Sequence, residues 1–390
     1  MYIPLEGVDR AAFAQQVQSS GLLGYVDTLA GGSISKVGVF SLGIVPFINS
    51  SIIFQLLASA VPSLQKLQKE EGEAGRRTFA QYQRYGALGF AGVQALGQCL
   101  YLRPFVDDFS IGWLAASSLS LTAGAMVLVW LSEALTELKL GNGTSLLIFV
   151  NILSALPLSA GQTLVQAGEA GNNAGLAAFG AAFLVITAGI VYVQEAERRI
   201  PITYASRYAA SATGLAKSSY LPFKVNGAGV MPIIFASSLL ALPATLARLG
   251  GGSGLDGLVA ALGPQGGAYL PVNVALIAFF NYFYTFLQLE PKDVAESLKK
   301  QGASVPGVRP GRATADYLAG VLERLSILGS VFLGALAAAP ALVEATTGLT
   351  TFRGFGGTSI LILVGVATDS ARKVASELVM SKYDRMDENL

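Results

Sequence analysis

Side chains able to do covalent chemistry are scarce in this sequence. It has no histidine and one cysteine, Cys99. That removes the commonest metal ligand and proton shuttle, and leaves no intrachain disulfide to form. There is no Walker loop, no HExxH pair and no Cys or His cluster at metal-ligand spacing. GNG at 141–143 reads as a helix-start turn, since a phosphate loop would carry more glycines and a lysine. No enzyme activity, metal or cofactor is expected. The residues whose spacing suggests a task are Ile44, Ile48, Ser51 and Gln55, which share one narrow face at 100° per helical residue. They lie in 38–60, a run of 23 residues without a charge, long enough to cross a bilayer core of ~30 Å. A helix that only faced lipid would need no such mixed stripe. This one points inward, at something that is sometimes wet.

Composition places those residues in a membrane protein. Hydrophobic residues make up 52% and charged residues 13%, with mean hydropathy +0.54; a soluble domain is about 25% charged. Forty-five glycines suit closely packed spanning helices, because small residues let backbones approach. The N-terminus, MYIPLEGVDR, lacks the basic region and apolar run of a cleavable signal peptide.

Apolar segments recur at 38–60, 85–102, 111–132, 143–160, 174–194, 228–249, 268–289, 317–343 and 356–371, which makes nine candidate spans. Segments 61–84, 133–142, 195–224, 290–324 and 370–390 hold 21 of the 26 basic residues, and the other five are Arg10, Lys36, Arg103, Arg248 and Arg353. By the positive-inside rule the richer set is cytoplasmic, with the N-terminus outside and the C-terminus inside. The segment 61–84 reads as a charged loop. Residues 195–217 and 290–312 read as basic connections, the latter running from an amphipathic helix to a turn stiffened by Pro306, Gly307 and Pro310.

Several of these stretches resemble the SecY family of protein-translocation channels. They are SLGIVPFINSSIIFQLL followed by KLQKEEGEAGRR, then GNGTSLLIF, ERRIPITYASR, LPFKVNGAGVMPIIFASSLL, EPKDVAESLKKQGASVPGVRPG and GGTSILILVGVATD, in family order along nearly the whole chain. The resemblance implies an all-α membrane bundle of two inverted halves, here 1–160 and 161–390. Nine of the family's ten spans would be present, with the first preceding YIPLEGVD at 2–9.

The resemblance also implies roles. Ile44, Ile48, Thr144, Ile148, Ile234 and Ile362 would form a pore ring, branched side chains that exclude ions by dewetting yet admit any passing chain. Taken singly, an isoleucine in a span is lipid contact or core; the coincidence with family motifs raises these six. The weakly amphipathic segment around Leu22, Leu23, Tyr25, Val26, Leu29, Gly31 and Gly32 would be a plug in the outer half of the pore. Ser51, Gln55, Asn226, Ser237 and Ser238 read as a polar helix seam, which the resemblance makes a lateral gate. Arg198, Arg199, Arg207 and Arg309 would dock the SecA motor and the ribosome. SecE-like and SecG-like small membrane subunits would accompany the channel, and unfolded secretory and membrane proteins would be its clients. The resemblance places it in a bacterial inner membrane or a thylakoid membrane.

Two other readings stand beside a channel. An inverted-repeat secondary transporter would want ionisable groups near the midplane, whereas Glu133, Glu195 and Asp369 lie near span boundaries. A membrane scaffold subunit would need no pore at all.

Overall fold

The structure is a computed structural model and describes residues 3–9, 12–13, 37–69, 72–106, 108–138, 141–169, 173–204, 219–250, 257, 261–262, 266–347 and 357–387. Its helices are α1 (Val45–Ala60), α2 (Pro62–Lys69), α3 (Gly72–Tyr101), α4 (Ile111–Glu137), α5 (Gly143–Glu169), α6 (Asn173–Glu195), α7 (Met231–Gly250), α8 (Tyr269–Gln288), α9 (Pro291–Lys300), α10 (Arg312–Thr347) and α11 (Gly357–Asp387). Each of the nine apolar segments contains a helix.

Among the described residues, four helical stretches are long and apolar enough to cross a membrane: Ile111–Glu137, Leu176–Glu195, Tyr269–Lys300 and Arg312–Ala339. Val45–Ala60 with Pro62–Gln68, bent by 111°, would make a fifth. Of the remaining predicted spans, α3 is held more by packing than by lipophilicity. On α3, Ala87, Ala91, Ala95 and Cys99 recur every fourth residue and are fully buried. That small-residue stripe lets α3 pack closely between α1 and α4.

Two sequence expectations change at α1. The uncharged run begins at 38, yet residues 37–44 form turns and the helix starts only at Val45. Gly43 supplies a backbone at φ 57°, open to glycine at no steric cost, and Pro46 sits in the first helical turn. The 16 residues of α1 therefore rise only about 24 Å. The charged segment 61–84 is also not a loop: α2 and the first turns of α3 occupy most of it. Pro62 holds Val61 extended, at φ −107° and ψ 111°, which stops α1 and starts α2 in a new direction.

The helical bundle carries one small addition that the sequence reading lacked. Strands β1 (Glu197–Tyr204), β2 (Ser219–Lys224) and β3 (Ala303–Ser304) form a sheet in the order β2-β1-β3. Antiparallel pairing runs from Glu197 opposite Lys224 to Ile202 opposite Ser219, and Thr203 faces Ser304. Ile200, Ile202 and Phe223 bury one face against Leu298, Val305, Leu318 and Leu322. The two basic connections, joined through residues about 100 apart in sequence, are thereby one body.

Polar bonds also join α8 to α10. Asn281, 1% exposed, donates to the Ser326 carbonyl at 3.1 Å and to Ser330 Oγ at 3.0 Å. Asn281→Ala is expected to lower stability by about 1 kcal/mol, within the range for interhelical polar bonds in membranes. Thermal unfolding in detergent reads it.

Candidate functional site

Five of the six residues expected to form a ring enter one continuous apolar cluster. Ile44, Ile48, Ile148, Ile234 and Ile362 come from α1 and its N-cap, α5, α7 and α11, and each is at most 5% exposed. Thr144, the sixth, is partly buried in the first turn of α5. That turn is capped by Asn142, whose Oδ1 accepts from the Thr144 backbone N–H at 3.1 Å. α7 packs on α1 and α3, and both α5 and α7 pack on α11, so the ring residues meet across four helices rather than along one.

A cavity of ≈ 550 Å³ opens on this cluster. Ile48, Thr144 and Ile234 line it together with Phe47, Met231 and Phe235. Ser51 and Gln55 line it too, so the stripe read from the sequence does face a hollow. Toward the end that carries the basic connections, the lining turns charged: Arg84 pairs with Glu133 across α3 and α4, with Glu137 and Lys373 nearby. Its lining thus joins an apolar part to a charged part.

The seam residues divide into two groups. Gln55 and Tyr284 line the same cavity, which sets α1 beside α8 there, and Gln55 Oε1 is buried without a partner. Ser50 Oγ donates to the Gln83 carbonyl at 2.7 Å, linking α1 to α3. The α7 group bonds locally instead. Ser237 Oγ donates to Ile234 O in its own helix at 2.9 Å, Asn226 Nδ2 donates to Gly229 O at 3.0 Å, and Ser238 is buried. The contact of α1 with α7 is therefore crossed by apolar packing more than by hydrogen bonds. Sequence reading missed Tyr284, a tyrosine inside an apolar segment with no local signal; Arg84 and Glu133 were legible only as boundary charges.

Arg198 and Arg199 lie on β1. Arg198 is exposed. Arg199 bonds Glu197 at 2.6 Å and lies 4.7 Å over the Tyr220 ring; the Glu197 hydrogen bond first, then Tyr220, pushes its pKa further up and keeps it charged. Arg309 is exposed on the turn before α10, where its carbonyl accepts from Thr314 Oγ1 at 2.9 Å. Arg207 lies outside the described residues, as do Leu22, Leu23, Tyr25, Val26, Leu29, Gly31 and Gly32. The chain on either side of that last group is anchored: Leu5 N–H donates to Val37 O at 3.0 Å and Val39 N–H to Ile3 O at 2.9 Å. Phe13 and Val37 share one buried cluster.

Comparison with known proteins agrees with this architecture. The SecY family pattern matches residues 38–371. The chain is 58% identical to "Preprotein translocase subunit SCY1, chloroplastic" of Arabidopsis thaliana, over 99% of this chain and 70% of that protein. It is 45% identical to "Protein translocase subunit SecY" of Synechocystis sp., over 99% of this chain and 90% of the relative. Among solved structures, "The structure of a protein conducting channel" superposes with a TM-score of 0.66 at 17% identity, covering 97% of this chain and 95% of that one. "Sec61 in the Canine ribosome-channel complex from the endoplasmic reticulum" gives 0.62 at 17% identity, with the same coverage of both chains. The fold is thus that of the protein-conducting channels, and by sequence the chain belongs to the SecY family.

Proposed function

We propose that this chain is the central subunit of a protein translocase, a gated channel that passes unfolded polypeptides across a membrane and releases apolar segments sideways into lipid. The observation that carries the reading is the meeting of Ile44, Ile48, Ile148, Ile234 and Ile362 from four helices beside a cavity that Ile48, Ile234 and Thr144 line. A collar of branched aliphatic side chains repels ions while closed and packs around any side chain while open.

The contact of α1 and α3 with α7 is the lateral exit, with Ser51, Gln55, Asn226, Ser237 and Ser238 along it. Crossed mainly by apolar packing, it parts at small cost, and a client helix chooses lipid because each Leu, Ile, Phe or Val favours the bilayer centre by about 0.3–0.6 kcal/mol. The halves 1–160 and 161–390 move apart at this contact. Segment 22–32 plugs the outer side. The sheet unit, with Arg198 and Arg309 exposed, docks a SecA-type motor or a ribosome; both supply the energy, and the chain itself catalyses no reaction. SecE-like and SecG-like small subunits complete the complex. The basic connections face the cytoplasm or stroma, in a bacterial plasma membrane or a thylakoid membrane.

Deleting 22–32 tests the reading. In planar bilayers the deletion is expected to give persistent ion conductance where the intact complex is silent. An unchanged conductance, or stoichiometric binding and exchange of a small solute by purified protein, would overturn it.

A further inference from the structure

A second and larger cavity, a groove of ≈ 1280 Å³, opens where α8, α9 and α10 meet. One wall is aromatic. Phe279, Tyr282, Phe283 and Phe286 line it at helical spacing, with Phe279 58% and Tyr282 46% exposed. Phe279 stacks on Phe283 at 6.3 Å with an interplanar angle of 11°, and Tyr282 meets Phe286 at 4.9 Å. The rings therefore form a slab braced mainly by itself. α8 belongs to a stretch apolar enough to span a membrane, so the slab stands at the depth of acyl chains. It ends at the interface, where aromatic side chains gather.

The other end of the groove is cationic. Lys292 and Lys299 on α9 and Arg312 at the start of α10 line it, and each is exposed. Among the described residues none of the three forms an ion pair. Of the groove's carboxylates, Glu296 is already held 3.2 Å from Lys300 and Glu290 is engaged by another contact, which leaves Asp316. The uncompensated charge is positive, at the height where headgroups lie.

We propose that this groove is a binding site for an anionic membrane lipid, with an acyl chain along the α8 rings and the headgroup on Lys292, Lys299 and Arg312. The ligand must have both parts. An ion alone has no use for the ring wall, and a neutral lipid leaves three exposed cations without a counter-charge. A protein helix laid in the groove would compete for the same surface. The inference is independent of polypeptide conduction, since lipid retention is read without transport.

Native mass spectrometry of the purified complex, delipidated and then titrated, provides the test. Wild type should retain phosphatidylglycerol in preference to phosphatidylcholine, and millimolar inorganic phosphate should not displace it. The triple change Lys292→Gln, Lys299→Gln and Arg312→Gln should weaken phosphatidylglycerol retention on the order of 100-fold. An equal loss of charge at Lys66, Arg76 and Arg77 should not weaken it. Lys292→Arg with Lys299→Arg keeps the charge and should bind as wild type does, which separates charge from folding. Equal retention of both lipids, unchanged retention in the triple variant, displacement by phosphate, or a groove crosslinked to a partner subunit in place of lipid would each overturn the proposal.

Discussion

Replacing Ile48 and Ile234 together by asparagine is expected to turn a silent channel into one that leaks ions. The two residues lie on α1 and α7, are 5% and 4% exposed, and line the same cavity above the apolar cluster. A narrow apolar passage excludes ions because water leaves it; two amides there would let water stay. Each buried amide without a partner also costs about 1–3 kcal/mol, so the double variant should unfold at lower temperature as well. Ile48→Val with Ile234→Val keeps the surface aliphatic and should stay closed. Single-channel recording, run beside thermal unfolding in detergent, separates a wet pore from a misfolded one. A double asparagine variant that folds and remains silent would remove the collar from the account.

Gly143→Ala is expected to lower stability by about 3 kcal/mol or more, an overpacking effect at the upper end of its range. A Cβ at Gly143 would collide with the Ser132 carbonyl oxygen and lie 2.8 Å from Thr136 Oγ1. Neither neighbour can give way. Thr136 Oγ1 donates to Ser132 O at 2.8 Å and accepts the Gly143 N–H at 2.9 Å, closing the turn from α4 into α5. The added methyl would also push on Thr144, which follows directly and lines the cavity. Gly89→Ala on α3 is the matched control: nothing lies within 4 Å of its Cβ, and alanine gains about 1 kcal/mol of helix propensity over glycine. Opposite signs for the two changes in thermal unfolding are the expected result; equal effects would show that the turn is not tight.

Much of this protein was written along the chain. Uncharged runs long enough to cross a bilayer gave the helical segments, because a backbone in hydrocarbon must satisfy its hydrogen bonds internally. The alternating basic connections gave an expected orientation, and the spacing of Ile48, Ser51 and Gln55 gave the face that meets the cavity. All three signals are local, since they depend on residues within a few helical turns of one another.

What only the tertiary structure decided depends on distance in space. The 61–84 segment is charged because it leaves the apolar core, yet it is helical, a state that charge alone does not forbid. Strands β1 and β3 lie about 100 residues apart in sequence, and no local pattern announces that Thr203 will face Ser304. The same holds for Tyr284 and Gln55 lining one cavity, and for the meeting of Ile48, Ile148, Ile234 and Ile362. A single isoleucine in an apolar helix has the same local environment whether it faces lipid or a partner helix. Only the packing of α1, α5, α7 and α11 on one another distinguishes the two.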